Sequence, residues 1–337
     1  MLRLFGLYVV AGLLALTPGS VRAGDGFFDS NGVKIHYVVQ GQGVPVVLLH
    51  GFTLNSYLQW DLPGITRALA QTYQVINMDC RGHGRSGKPR DPKLYGKEMA
   101  EDVVRLLDHL QIKKAHLVGY SMGAFIVLNL LATHPDRMLT ATVGGAGWTD
   151  KIDGKFLDEV ADSLSQGKGI GPLVRRLTPK GYPPPTDNDV RQVNQFTALI
   201  NDVKALAAAF RSLRELSFAE QVLKTNEVPT LVLVGNLDPL KDDVDLMATK
   251  MANLTVVVIP NADHVDAFTK PQFIAGLKAF LSNPPPVVSV KKPEPDVFVP
   301  DDPPPVEDVR PAWRPRARRH PFFERRRYRR GGCWRWR

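Results

Sequence analysis

Cysteine is almost missing from this chain. Of 337 residues only Cys80 and Cys333 are cysteine, and no feature of the sequence brings those two together. A disulfide framework is therefore excluded, and stability has to come from a buried core. Long apolar runs are also absent. The longest, Leu4 to Leu16, falls short of the roughly 18 residues that a membrane-spanning helix needs. There is no glycine-rich phosphate loop, no internal repeat, and no histidine or cysteine spacing typical of a metal site, so no cofactor and no metal are expected. Acidic residues are scarce at one end. Between Arg310 and Arg337 there are twelve arginines and one acid, Glu324, a local balance of +11 in a chain whose total is +9. What precedes Arg310 thus carries −2, and the basic character belongs to the C-terminal tail alone.

What is present begins with a targeting pattern. Arg3 precedes the apolar run, Pro18 to Ser20 break it, and Val21-Arg22-Ala23 offers a cleavage site before Gly24. Residues 1–23 therefore read as a signal peptide, which implies an exported protein, periplasmic or secreted. The alternative is an uncleaved N-terminal membrane anchor.

Past that segment, Asn31-Gly32 sits between short alternating stretches, the signature of a hairpin spanning Phe27 to Gln40. The pattern then changes to short, nearly continuous apolar runs: Val46 to Leu49, Val75 to Met78, Ala115 to Val118, Thr140 to Val143, Thr230 to Val234 and Leu254 to Ile259. Strands apolar on both faces are what a parallel sheet covered by helices requires. Helical spacing in Lys97 to Leu110, Gly123 to His134 and Pro271 to Leu281 supplies those covers. The fold class is α/β, with a mostly parallel central sheet and helices on both faces. The core is assigned to residues 24–148 and 226–282.

Residues 149–225 interrupt this alternation and are expected to form a helical cap over the carboxyl ends of the strands. Helical stretches are predicted at Phe156 to Leu164 and Val190 to Leu216. Leu157, Val160, Leu164, Phe196, Leu199 and Phe210 either line an apolar substrate pocket or pack the cap helices together. Twelve prolines between Pro284 and Pro321 exclude a helix or central strand there. Residues 283–309 therefore form a Pro-rich linker, and 310–337 a basic tail expected to be disordered.

Chemistry concentrates at strand ends. Gly119-Tyr120-Ser121-Met122-Gly123 follows one predicted strand and precedes a helix, the context in which G-x-S-x-G holds a serine hydroxyl out above a sheet. A serine needs a base, and the base needs an orienting acid. Asp238 follows the strand Thr230 to Val234, and His264 follows Leu254 to Ile259. Asp242, Asp243 and Asp263 are rival acids, but Asp238 lies nearest its strand end. His50-Gly51-Phe52, after Val46 to Leu49, is expected to turn so that the Phe52 N–H pairs with the Met122 N–H as an oxyanion hole.

These motifs, together with Asp79-Cys80-Arg81-Gly82-His83-Gly84-Arg85-Ser86, resemble the α/β-hydrolase superfamily over roughly Phe27 to Leu281. The small esterase, haloperoxidase-like and carbon–carbon bond hydrolase branches are the most similar. The resemblance implies a serine hydrolase working by acyl transfer, with the Asp79 to Ser86 loop structural. A serine at the elbow argues against haloalkane dehalogenase and epoxide hydrolase chemistry, and Asp263 departs from the glycine that often precedes the histidine. The expected substrate is a small-molecule carboxylic ester with a small to medium acyl or aryl group. Carbon–carbon bond hydrolysis, perhydrolysis and amide or peptide cleavage use the same groups.

The tail offers a second role. Its arginines interleaved with Tyr328, Trp334 and Trp336 suit an anionic envelope polymer or membrane surface, whereas nucleic acid is an improbable partner for an exported protein. The reading of another class is a non-catalytic scaffold tethered by that tail.

Overall fold

A computed structural model describes residues 22–286, Lys151 excepted. The Arg-rich tail, nearly all of the Pro-rich linker, and the expected signal segment apart from Arg22 and Ala23 lie outside the described residues. The first strand, β1 (Arg22–Ser30), starts two residues ahead of the expected cleavage point, and its register shifts between Arg22 and Gly24. It pairs antiparallel with β2 (Val33–Gln40) through Asn31 and Gly32. Both turn residues take positive φ, 54° and 80°, which matches the twist of a two-residue hairpin.

Six further strands follow: β3 (Val44–Leu49), β4 (Tyr73–Met78), β5 (Ala115–Tyr120), β6 (Met138–Gly144), β7 (Thr230–Gly235) and β8 (Leu254–Ile259). The sheet order is β1-β2-β4-β3-β5-β6-β7-β8. β2 runs antiparallel to both neighbours, and every other pairing from β4 to β8 is parallel.

Alternation along β3 shows why the inner strands are apolar throughout. Val47 and Leu49 pack with α2 (Lys97–His109) and α3 (Met122–Thr133), while Val46 and Leu48 pack with α1 (Ile65–Leu69) and α10 (Pro271–Ser282). The sheet therefore has a core on each face. One expectation needs correction. β8 reads as a run apolar on both faces, yet Val256 and Val258 are exposed. β8 is the last strand, so only one of its sides is paired, and α10 reaches it mainly through Val257.

Between β6 and β7 lie α4 (Gly154–Ser165), α5 (Gly171–Arg176), α6 (Asp187–Ile200), α7 (Val203–Ser212) and α8 (Gln221–Lys224). The predicted single helix from Val190 to Leu216 is broken at Asn201 and Asp202. Asp202 leaves the helical conformation and its Oδ1 accepts the N–H groups of Lys204 and Ala205, capping α7. This segment reaches the loops at the strands' carboxyl ends. Asn201 Nδ2 donates to Thr53 O, and Trp148 Nε1 donates to Phe218 O. The last helix before β8 is α9 (Lys241–Ala248). No helix among the described residues is long and apolar enough to cross a membrane.

Candidate active site

Ser121 stands between β5 and α3 with φ 51° and ψ −111°, a region that side-chain-bearing residues seldom occupy. The surrounding packing imposes that strain. A Cβ on Gly119 would sit 2.1 Å from Gly123 O, and one on Gly123 would sit 2.2 Å from Leu49 O. Both glycines are therefore required by backbone crossing backbone. The Ser121 N–H donates to Gly144 O at 2.8 Å, tying the elbow to the end of β6.

The acid and the histidine come from loops that pack against one another. Leu237 N–H donates to Ala262 O at 2.9 Å, and a Cβ on Gly235 would meet that same oxygen at 2.1 Å. Asp238 is buried; its Oδ1 accepts the Leu240 N–H at 2.9 Å, and its Oδ2 lies 2.9 Å from His264 Nδ1. An ionised carboxylate only accepts, so Nδ1 carries the proton and Nε2 keeps its lone pair. Ser121 Oγ lies 2.9 Å from that Nε2.

Tyr120, the first of the two variable residues in the elbow motif, fixes the histidine from behind. Its buried hydroxyl donates to His264 O at 2.7 Å, and burial pushes its pKa well above the ordinary value, so it remains a donor. Nothing in the sequence pattern marks this role. The rival acids are engaged elsewhere. Asp263 accepts the N–H groups of Val265 and Asp266 at 2.9 and 3.2 Å, and Asp242 pairs with Lys180 at 2.6 Å. Asp243 has its pKa raised by burial.

On the other side of Ser121 lies the turn after β3. A Cβ on Gly51 would be 3.4 Å from Ser121 Cβ, so the turn packs directly on the serine. His50 Nε2 accepts the Cys80 N–H at 3.0 Å, which leaves the proton on Nδ1, and Nδ1 donates to Gly51 O at 2.8 Å. Burial lowers the pKa of His50 and keeps it neutral for this role. No peptide bond among the described residues is cis, so the Phe52 N–H points away from the oxygen that His50 holds. Met122 is the first residue of α3, and its N–H has no acceptor within the helix. The Gly51 N–H itself donates to Gln59 Oε1 at 3.3 Å.

Asp79 anchors the ground beneath this turn. Burial opposes its charge, but hydrogen bonds from His36, the Arg85 N–H and Ser56 hold its carboxyl well below the usual range. Arg81 is buried against Asp102, with Nε–Oδ2 2.6 Å and Nη2–Oδ1 2.5 Å. His83, also buried, is pushed down to about 3, chiefly by burial, and packs edge-on to Phe52.

Of the six cap residues singled out by sequence, Phe210 reaches the site, its ring 4.8 Å from that of Phe52. Leu157, Val160 and Leu164 are buried within the cap packing, and Phe196 is half-buried. Leu199 is corrected outright: it is 82% exposed and faces solvent. Among the described residues no group of three or more His, Cys, Asp or Glu is placed to hold a metal ion.

This architecture has relatives. The family model described as the α/β hydrolase fold matches residues 44–166. A putative carbamate hydrolase of Azorhizobium caulinodans is 33% identical over 241 residues, 68% of this chain and 84% of that protein. The acetyltransferase component of an acetoin cleaving system from Pseudomonas putida is 41% identical over 118 residues, but the match covers 34% of this chain and only 30% of that longer protein. Among solved structures, the enol-lactonase from Burkholderia xenovorans LB400 shares the fold, with a TM-score of 0.62 at 21% identity, over 76% of this chain and all of that one. The sheet order, the strand-end loops and these matches agree: the chain belongs to the α/β-hydrolase family of enzymes.

Proposed function

We propose that the chain is a serine hydrolase that cleaves small-molecule carboxylic esters by acyl transfer, with Ser121, His264 and Asp238 as its triad. The observation that carries this reading is the unbroken line Asp238 Oδ2, His264 Nδ1, His264 Nε2, Ser121 Oγ, with 2.9 Å at each of its two hydrogen bonds. Ser121 Oγ attacks the ester carbonyl while its proton passes to His264 Nε2. Asp238 stabilises the resulting imidazolium and keeps the ring oriented. The N–H groups of Phe52 and Met122 receive the oxyanion. His264 then returns the proton to the departing alcohol, and a water deprotonated by the same nitrogen releases the acyl group from Ser121.

Carboxylic esters are the favoured class because acyl transfer needs only these groups, and Phe52 and Phe210 offer an aromatic wall to an acyl or aryl substituent. The test is turnover of p-nitrophenyl esters from acetate to octanoate, beside fluorophosphonate labelling, in the wild type and in Ser121→Ala. Turnover and labelling that both vanish with Ser121 uphold the reading. Ester turnover that persists in Ser121→Ala refutes it, and a folded protein that neither turns over nor labels supports a binding scaffold.

The proposal extends to location. Export by residues 1–23 and attachment to an anionic envelope surface through residues 310–337 follow from the charge segregation of the sequence. Sedimentation with anionic vesicles should then weaken as salt rises and be lost in a chain ending at Ser282. Equal binding by both chains at all salt concentrations would remove the tether.

A further inference from the structure

The turn beside Ser121 is held by a side chain that no motif marks. Gln59 is 1% exposed and lies in a π-helical turn, Tyr57–Asp61, closed by Leu62 N–H donating to Tyr57 O at 2.9 Å. Such turns insert one extra residue and re-aim the side chains they carry. Here the carboxamide is aimed at the Gly51 N–H, 3.3 Å away. A Cβ on Gly51 would meet Gln59 Oε1 at 3.3 Å and Ser121 Cβ at 3.4 Å, so Gly51 is pressed between the amide and the serine. The orientation of the amide follows from the donor it faces. Reversing it would set Nε2 against another N–H.

This arrangement leaves the buried Nε2 of Gln59 without a hydrogen-bond partner. Leucine or methionine would fill a similar volume without burying an unpaired donor, and such groups in folded proteins call for an explanation. The neighbouring peptide gives one. His50 holds the carbonyl of the Gly51–Phe52 peptide, while Gln59 holds the N–H of the peptide before it. Together they grip Gly51 on both sides. Glycine is the residue most free to rotate about that position, and its rotation would swing the Phe52 N–H away from the serine.

We infer that Gln59 is a positioning residue for the oxyanion hole, acting through Gly51 to hold the Phe52 N–H in place. The inference rests on the acyl-transfer reading above. Its effect is felt mainly where charge develops on the substrate oxygen, so it belongs to the transition state and hardly to ground-state binding.

The experiment compares wild type, Gln59→Leu and Gln59→Glu on a p-nitrophenyl ester, with rates normalised to sites titrated by a fluorophosphonate. An alkyl trifluoromethyl ketone, whose adduct with Ser121 carries an oxyanion, is the inhibitor, and thermal melting is followed alongside. In Gln59→Leu, kcat falls at least tenfold while KM changes less than twofold. The inhibition constant for the ketone rises in step with the loss of kcat, and the melting temperature falls only modestly, because the Gly51 N–H loses its acceptor while the unpaired Nε2 donor is removed with it. Gln59→Glu keeps an acceptor for the Gly51 N–H. At pH 6, where burial favours its neutral carboxyl, it runs at least fivefold faster than Gln59→Leu. Wild-type kcat and ketone affinity in Gln59→Leu overturn the inference, as does a loss shared equally by KM. Gln59→Glu no faster than Gln59→Leu overturns it as well. Ser121→Ala, run in parallel, separates the two levels: activity surviving that change removes the acyl-transfer reading itself, whereas an inert Gln59 removes only the positioning role.

Discussion

Replacing Gly123 with alanine tests whether the elbow is set by backbone packing. Its new Cβ would lie 2.2 Å from Leu49 O, 2.7 Å from Leu49 C and 2.9 Å from His50 O, none of which belongs to a flexible side chain. Carbon–oxygen contacts settle at about 3.3 Å or more, so α3 and the end of β3 must separate by roughly 1 Å. Those two elements carry the proposed oxyanion donors, Met122 and Phe52. A displacement near 1 Å at a reacting centre costs about 100-fold in rate, or about 2.7 kcal/mol of transition-state stabilisation. Overpacking should also lower stability by about 1–3 kcal/mol. The assay pairs kcat/KM on a p-nitrophenyl ester with urea unfolding.

Gly64→Ala is the control. Gly64 has φ 84° and nothing within 4 Å of its would-be Cβ, so alanine there meets backbone strain of about 1 kcal/mol and no steric conflict. Stability should fall slightly and activity should hold. If Gly123→Ala keeps activity and stability within twofold and 0.5 kcal/mol of wild type, both estimates drawn from the noise expected of neutral surface changes of about that size, the packing argument fails.

Three other outcomes follow from the same geometry. Asp238→Asn removes the acceptor that sets the His264 tautomer, so kcat/KM on an ester should fall about 10³- to 10⁴-fold with little change in the melting curve; a loss under tenfold would reassign the acid. Tyr120→Phe leaves the buried His264 carbonyl without its 2.7 Å donor, which should cost about 1–3 kcal/mol in urea unfolding and reduce kcat more than it changes KM. His36 lies between Asp79 and Asp25, and although burial opposes its charge those two carboxylates raise its pKa above 6.5. Its contribution to stability is therefore complete below 6.5 and lost as pH climbs through the raised value. Asp79, lowered from 3.8, contributes above 3.8 and loses its share as pH falls. Unfolding midpoints should peak between those values, and His36→Gln should flatten the decline above 6.5; an unaltered decline in that variant would refute the assignment.

The side of the molecule that carries the proposed triad was legible because its demands are written locally. A strand meeting a helix through Gly119 and Gly123 has to place glycines where backbones cross, and Asp238 and His264 have to follow apolar runs to stand at strand ends. The inner strands were legible for the same reason: two helical layers force Val, Leu and Ile onto both faces. Edge position is not encoded within a strand, so β8 reads like β7 although two of its valines face water. The break at Asp202 was present as an Asn-Asp pair in a longer helical pattern, and helix periodicity on both sides concealed it. Leu199 shows the limit for the cap, where apolar spacing alone does not tell a lining residue from an exposed one. Gln59 was not legible at all, because its role depends on a π turn bringing it back to Gly51 eight residues earlier.

The site divides into two halves with separate supports. Ser121, Asp238 and His264 are tied together by β5, β7 and β8 through Tyr120 and the packed loops at Gly235 and Ala262. The turn at Gly51 is tied to the loop after β4 through His50 and the Cys80 N–H, and that loop is tied to Ser56 through Asp79. The cap meets this second half where Phe210 packs on Phe52 and Asn201 donates to Thr53 O. Under the proposed mechanism, changes in the first half act on proton transfer and belong in pH–rate profiles. On the same proposal, changes in the second act on the oxyanion and belong in the affinity for transition-state analogues. A substituent that presses on Phe210 therefore bears on the half that carries the proposed oxyanion donors, which would give the acyl group of an ester a route to influence kcat as well as KM.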